Sequence, residues 1–146
     1  MKLISSNLEK LGKDGEGKAV EILKSLGFVL ARPDFSGYKE FKSMLYNENL
    51  ETEEDVEFEI KTKSEPFKPP PFLGHGADLF QIKKRMRRYK KYGIKQFLLI
   101  IQKDDKVYGQ WLHKLENGKY FDTRLRKRIY PLSNFEEIPK FIWKKS

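Results

Sequence analysis

The stretch EDVEFEIKTKSEPF, Glu54 to Phe67, alternates Val56, Phe58 and Ile60 with Glu57, Glu59, Lys61 and Lys63. A β-strand repeats every 2 residues, so the first set points to one face and the second set to the other. One face is apolar and ready for a core. The other places carboxylates beside ammonium groups. The plainest reading is a half-buried antiparallel strand with a solvated charged face. The alternative is a face that does chemistry, and the surrounding chain must decide between them.

Upstream, Ser6 to Leu26 reads as a helix, its apolar positions clearest from Ala19 on. Gly12, Gly15 and Gly17 predict a break or a late start, and Gly27 a C-cap. Phe28 to Arg32 reads as a short strand that Pro33 interrupts, and Lys39 to Tyr46 as a second strand or a helix. NENLETEE is a polar, acidic loop, and EPFKPPPFLGHG holds too much Pro and Gly for regular structure. ADLFQIKKRMRRYKKYG reads as a basic helix ending at Gly93. KQFLLIIQK is a buried strand, with KVYGQWLHKL as its antiparallel partner across a turn. The last 30 residues read as irregular, with RLRKRIYPL a basic and aromatic stretch. This order predicts a single α/β domain over residues 1–146 built on one mixed sheet flanked by helices.

Composition narrows the function classes. The chain has 146 residues, 38% of them hydrophobic and 14% aromatic, enough to bury a core despite 35% charged residues. The formal net charge of +9 points to a polyanionic partner, nucleic acid before a membrane surface. The absence of Cys excludes disulfides, thiolate zinc sites and Cys nucleophiles. No apolar run approaches the roughly 18 residues of a membrane span. The N-terminal stretch lacks the apolar region of a signal peptide, so a cytoplasmic protein without membrane contact is expected.

Phosphodiester hydrolysis needs a hard cation, an activated water and a stabilised leaving oxygen. Mg²⁺ takes oxygen ligands, and carboxylates from neighbouring segments can hold it. A Lys two residues from a carboxylate shares its strand face, where it can orient the attacking water or neutralise phosphate charge. Glu59-Ile60-Lys61 has that spacing, and the Ile60 carbonyl offers a further oxygen. The spacing alone is a weak signal in so charged a chain. A second carboxylate upstream, Asp34 after Pro33, strengthens it.

Pro33-Asp34 followed by Glu59-Ile60-Lys61 resembles the PD-(D/E)XK nuclease signature. GEGKAVEILKSLGFVLAR resembles the first helix and strand of that restriction-endonuclease-like fold, and FEIKTKSEPF its catalytic strand. GHGADLFQ with the basic helix, VYGQWLHKL and YPLSNF resemble a phage-type subgroup, so that the resemblance covers roughly Gly15 to Phe135. It implies Asp34 and Glu59 as ligands of Mg²⁺ or Mn²⁺, Lys61 as the catalytic lysine, Glu16 as an added acidic residue, and Gln81 as a glutamine near the site. His75 and Asp78 match the subgroup's GHG-x-D stretch. The 24 residues between Asp34 and Glu59 require an insertion. Glu57, about 6.6–6.8 Å from Glu59 along the strand, is an alternative second ligand. Asp55, at about 13 Å, is too far.

Each of these residues also has an ordinary reading. Glu16 suits the first turn of a helix by the macrodipole. Gln81 suits a surface, Lys63 a solvated edge, and His75 a solvated loop whose glycines also allow approach to a phosphate. His113 reads as structural within a strand. Lys or Arg fills seven of ten positions from Lys83 to Tyr92, while Ile82, Met86 and Tyr89 form an inward stripe. Lys83, Lys84, Arg85, Arg87 and Arg88 are therefore candidate phosphate contacts, with Arg126 and Lys127 as a second group. The expected function is a metal-dependent nuclease acting on duplex, branched or single-stranded DNA. A Holliday-junction resolvase would be a homodimer preferring branched DNA, and a degradative nuclease would cut linear or single strands. Non-catalytic nucleic-acid binding on the same fold, and a basic protein-interaction module, are the competing classes. If the chain is viral, its compartment is the host cytoplasm.

Overall fold

The computed structural model describes residues 12–30, 40–43, 54–68 and 72–144. Helix α1 (Gly12–Ser25) leads into β1 (Phe28–Leu30), β2 (Glu40–Ser43) and the long strand β3 (Glu54–Lys63). Strand β4 (Gly74–Asp78) runs directly into α2 (Leu79–Tyr92). Then follow β5 (Lys95–Gln102), β6 (Val107–Trp111), α3 (Leu112–Glu116), β7 (Phe121–Asp122), β8 (Lys127–Pro131), β9 (Glu136–Glu137) and α4 (Lys140–Trp143).

Six strands form a central sheet in the order β1-β2-β3-β5-β6-β9. The β3–β5 pair is parallel and the other pairs are antiparallel, so the sheet is mixed. A parallel pair needs a crossover, and the chain supplies it through β4 and α2. The register sets Phe58 beside Phe97 and Glu59 beside Leu98. Even positions of β3 therefore share a face with odd positions of β5.

Each face has its own core. Val56, Phe58, Ile60, Phe97, Leu99 and Ile101 pack with Ala19, Ile22 and Leu23 of α1 and Trp143 of α4. On the opposite face Leu98 and Ile100 pack with Ile82 of α2, Leu112 and Leu115 of α3, and Ala77 and Tyr130 of the smaller sheet. The protein is thus an α/β structure, a mixed sheet with helices on both faces.

Three expectations need correction. Gly74–Asp78 is a strand, joined to β8 and β7 in a second, three-stranded sheet. Its glycines are there for close approach: a Cβ on Gly76 would lie 1.7 Å from the Arg128 carbonyl oxygen, and one on Gly74 2.0 Å from that of Tyr130. The basic tail supplies the partner strand, so it is regular where irregular chain was expected. His113 lies on α3, stacked on Tyr89 of α2 with ring centroids 4.8 Å apart. The helix starts at Leu112, directly after Trp111 ends the β6 ladder, and Leu112 and Leu115 turn into the core.

Candidate active site

The charged face of β3 is covered by α2, so it is not a wet edge. The inward stripe of α2 seats the helix: Ile82 is buried, Met86 packs on the same core, and Gly93 ends the helix in the left-handed region at φ 70°. Docked this way, the helix meets the strand in three polar rungs. Lys61 Nζ donates to Gln81 Oε1 at 2.9 Å. Arg85 Nε donates to Glu59 Oε1 at 2.7 Å. Arg88 donates through two nitrogens to both oxygens of Glu57, each at 2.7 Å. The helix advances by four and three residues while the strand steps back by two and two. Those strides are about 10.5 Å and 13 Å in total, close enough for long side chains to bridge.

Lys61 Nζ also lies 3.4 Å from Glu59 Oε2, so one carboxylate is shared between an ammonium and a guanidinium. The Glu59 side chain is only 5% exposed and that of Arg85 18%. Such burial is tolerable for a carboxylate because charge-assisted hydrogen bonds replace its water. Burial by itself would raise the Glu57 pKa, yet hydrogen bonds from Arg88 and Gln96 and the charges of Arg88 and Arg85 outweigh it. Glu57 is therefore held below its ordinary value.

Of the residues singled out in the sequence, Glu59, Lys61 and Gln81 converge. Arg85 and Arg88, expected to face phosphates, turn inward to the carboxylates. Lys83, Lys84 and Arg87 are exposed on the other side of the helix, and Arg126 is exposed in the turn before β8. Lys127 is half-buried, 3.5 Å from Asp78. Lys63 is also only partly exposed. Burial, then the charges of Lys127 and Lys61, lower its pKa against the pull of Asp78, so cations crowd the end of β3. Asp34 lies outside the described residues, and so does the side chain of Glu16 on α1.

His75 is 0% exposed rather than solvated in a loop. Its Nε2 is 2.7 Å from Gln102 Oε1, and its Nδ1 is buried with no hydrogen-bond partner. Burial depresses its pKa, with the Lys63 charge adding to the effect and the Gln102 bond opposing it. The ring is part of the core beside Tyr108 and Phe135, out of reach of a phosphate.

Gln96 is a member that the sequence reading passed over. It accepts from Arg85 at 3.0 Å and donates to Glu57 at 2.9 Å. Its signal was a polar residue at the head of an apolar strand. Gln102, the partner of His75, marks the tail of the same strand.

Glu59 and the Ile60 carbonyl are hard oxygen donors of the kind Mg²⁺ or Mn²⁺ takes. Among the described residues no group of three or more His, Cys, Asp or Glu is placed to hold a metal. Glu57 is poorly suited, because both its oxygens are taken by Arg88. No described helix is long and apolar enough to cross a membrane.

No protein-family model matches the chain, and no curated protein matches it. Among solved structures, the chain is similar to Hjc, a Holliday junction resolvase from the archaeal hyperthermophile Archaeoglobus fulgidus. The likeness covers 88% of each chain at 12% identity, with a TM-score of 0.45.

Proposed function

We propose that the chain is one nuclease-like domain of PD-(D/E)XK type that hydrolyses DNA phosphodiester bonds with Mg²⁺ or Mn²⁺. The observation that carries the reading is the convergence of Glu59, Lys61 and Gln81. Residues 20 positions apart in sequence meet at one point, in the strand-and-helix arrangement the resemblance implies. Asp34 and Glu59 would hold the cation, with the Ile60 carbonyl and Glu16 as further donors. When bound, it would polarise the phosphodiester and acidify a water. Lys61 keeps an ammonium beside the Glu59 carboxylate, fixed by Gln81, where it can orient the water and offset phosphate charge. Lys63 and Lys127 add positive charge at the same end of β3.

The test is incubation of the full chain with linear duplex, single strands, flaps and four-way junctions in Mg²⁺ or Mn²⁺. Cutting that Glu59→Ala abolishes supports the reading, and the substrate ranking assigns the subtype. Preference for junctions together with a homodimer in solution would mark a resolvase. A second reading, non-catalytic nucleic-acid binding on the same fold, draws on the Arg85–Glu59 and Arg88–Glu57 pairs, which neutralise both carboxylates. It expects salt-sensitive DNA binding without cleavage in any divalent metal.

A further inference from the structure

The outer face of α2 carries one regular ridge. Its exposed residues up to Lys91 are Phe80, Lys83, Lys84, Arg87, Lys90 and Lys91. They recur at i, i+3, i+4, i+7, i+10 and i+11, the spacing of one helical face. Five of the six are cations. The sixth, Phe80, is 71% exposed at the head of the ridge, where a large apolar ring gains nothing from solvent. A second exposed apolar residue lies in the turn that is hydrogen-bonded to the start of α2. Leu79 N donates to the Arg126 carbonyl at 2.8 Å; Phe80 follows Leu79 and Leu125 precedes Arg126. Leu125 is 81% exposed at the tip of a turn between Arg124 and Arg126. Arg126 is held there at φ 61°, in the left-handed region, so the turn is shaped rather than loose.

We propose that this ridge binds an unpaired nucleic-acid strand, with a base stacked on Phe80 against Leu125 and phosphates along Lys83, Lys84 and Arg87. The charge complementarity selects a polyanion, and the aromatic head selects one whose bases are free to stack. In an intact duplex the bases are stacked on one another, so Phe80 adds nothing there. Phe80 is the neighbour of Gln81, which holds Lys61, so the head of the ridge and the proposed catalytic lysine lie at the same end of α2. Here the inference builds on the proposed nuclease reading and narrows its substrate to DNA with single-stranded or branched character.

The experiment is equilibrium binding by fluorescence anisotropy in EDTA, using a labelled 15-nucleotide single strand and a blunt duplex of equal length. No cleavage is needed, so failure here speaks against the ridge alone, and failure to cut in Mg²⁺ speaks against the nuclease alone. Phe80→Ser should weaken single-strand binding roughly tenfold and change duplex binding less than about twofold. Phe80→Trp should restore the single-strand affinity. Lys84→Ala should weaken both ligands and reduce the salt dependence. Unchanged single-strand affinity in Phe80→Ser, or equal loss on both ligands, overturns the proposal. A dimer in sedimentation that Phe80→Ser dissociates without loss of single-strand affinity also overturns it, and assigns the apolar pair to a second copy of this chain.

Discussion

Arg85 Nε sits 2.7 Å from Glu59 Oε1, and that contact turns the carboxylate so that its other oxygen faces Lys61. The pair is largely buried, so its Coulomb attraction is offset by lost hydration, while removal of one member leaves a charge stranded. Arg85→Leu should therefore destabilise the fold by about 3 kcal/mol, the lower end for a buried pair because Lys61 still serves Glu59. Replacing both residues by Leu should recover most of that loss. Urea unfolding of the two single variants and the double variant gives the coupling directly.

Glu57 gives an acid-side prediction. Its pKa is lowered in the folded state, so its contribution to stability is complete above its ordinary 4.5 and is lost as pH falls through the folded value. Glu57 therefore leaves the urea midpoint unchanged between pH 7 and 5 and adds a fall in it below about 4.5. In Glu57→Gln that fall should be shallower, since the group no longer titrates.

His75 acts in a higher window. Its pKa is lowered below the ordinary 6.5, so the unfolded chain takes up the proton first. Stability should decline as pH drops below about 6.5 and level off once the folded ring also protonates. Substitution by Phe keeps a ring in the site and should flatten the thermal midpoint between pH 7 and 5. An unaltered slope would show that the buried imidazole is not what titrates.

The glycines of β4 and the cap of α2 predict opposite tolerances. Gly76→Ala drives a Cβ into the Arg128 carbonyl and should cost about 3 kcal/mol or more. Gly93 has φ 70° and open space around its would-be Cβ, so Gly93→Ala costs only the left-handed strain, about 1 kcal/mol, and Gly93→Asn less. Thermal unfolding of the three variants orders them.

These sites also mark what the sequence could and could not carry. The alternation of β3 and the stripe Ile82-Met86-Tyr89 were readable because burial imposes a period on them, and both formed as expected. The GHG strand was not, because glycine weakens strands in general, and only the backbone of β8 passing so near makes it necessary here. The inward turn of Arg85 was within reach. It lies about 60° from Ile82 around the helix, about 40° beyond Tyr89 and so on the flank of the inward stripe. In a run of seven cations, however, charge alone does not say which will meet a carboxylate. The partners Glu57 and Glu59 come from β3, and only the docked helix pairs them. Gln96 was hidden for a similar reason: its role exists only between Arg85 and Glu57.

The measurement that bears most directly on the central claim is single-turnover DNA cleavage by Lys61→Ala against the wild type, at saturating protein in Mg²⁺ or Mn²⁺. If Lys61 positions or activates the water, its removal should slow cutting by at least about 100-fold while DNA affinity in EDTA stays close to wild type. Equal cleavage rates in the two proteins would contradict the account and place the chemistry elsewhere.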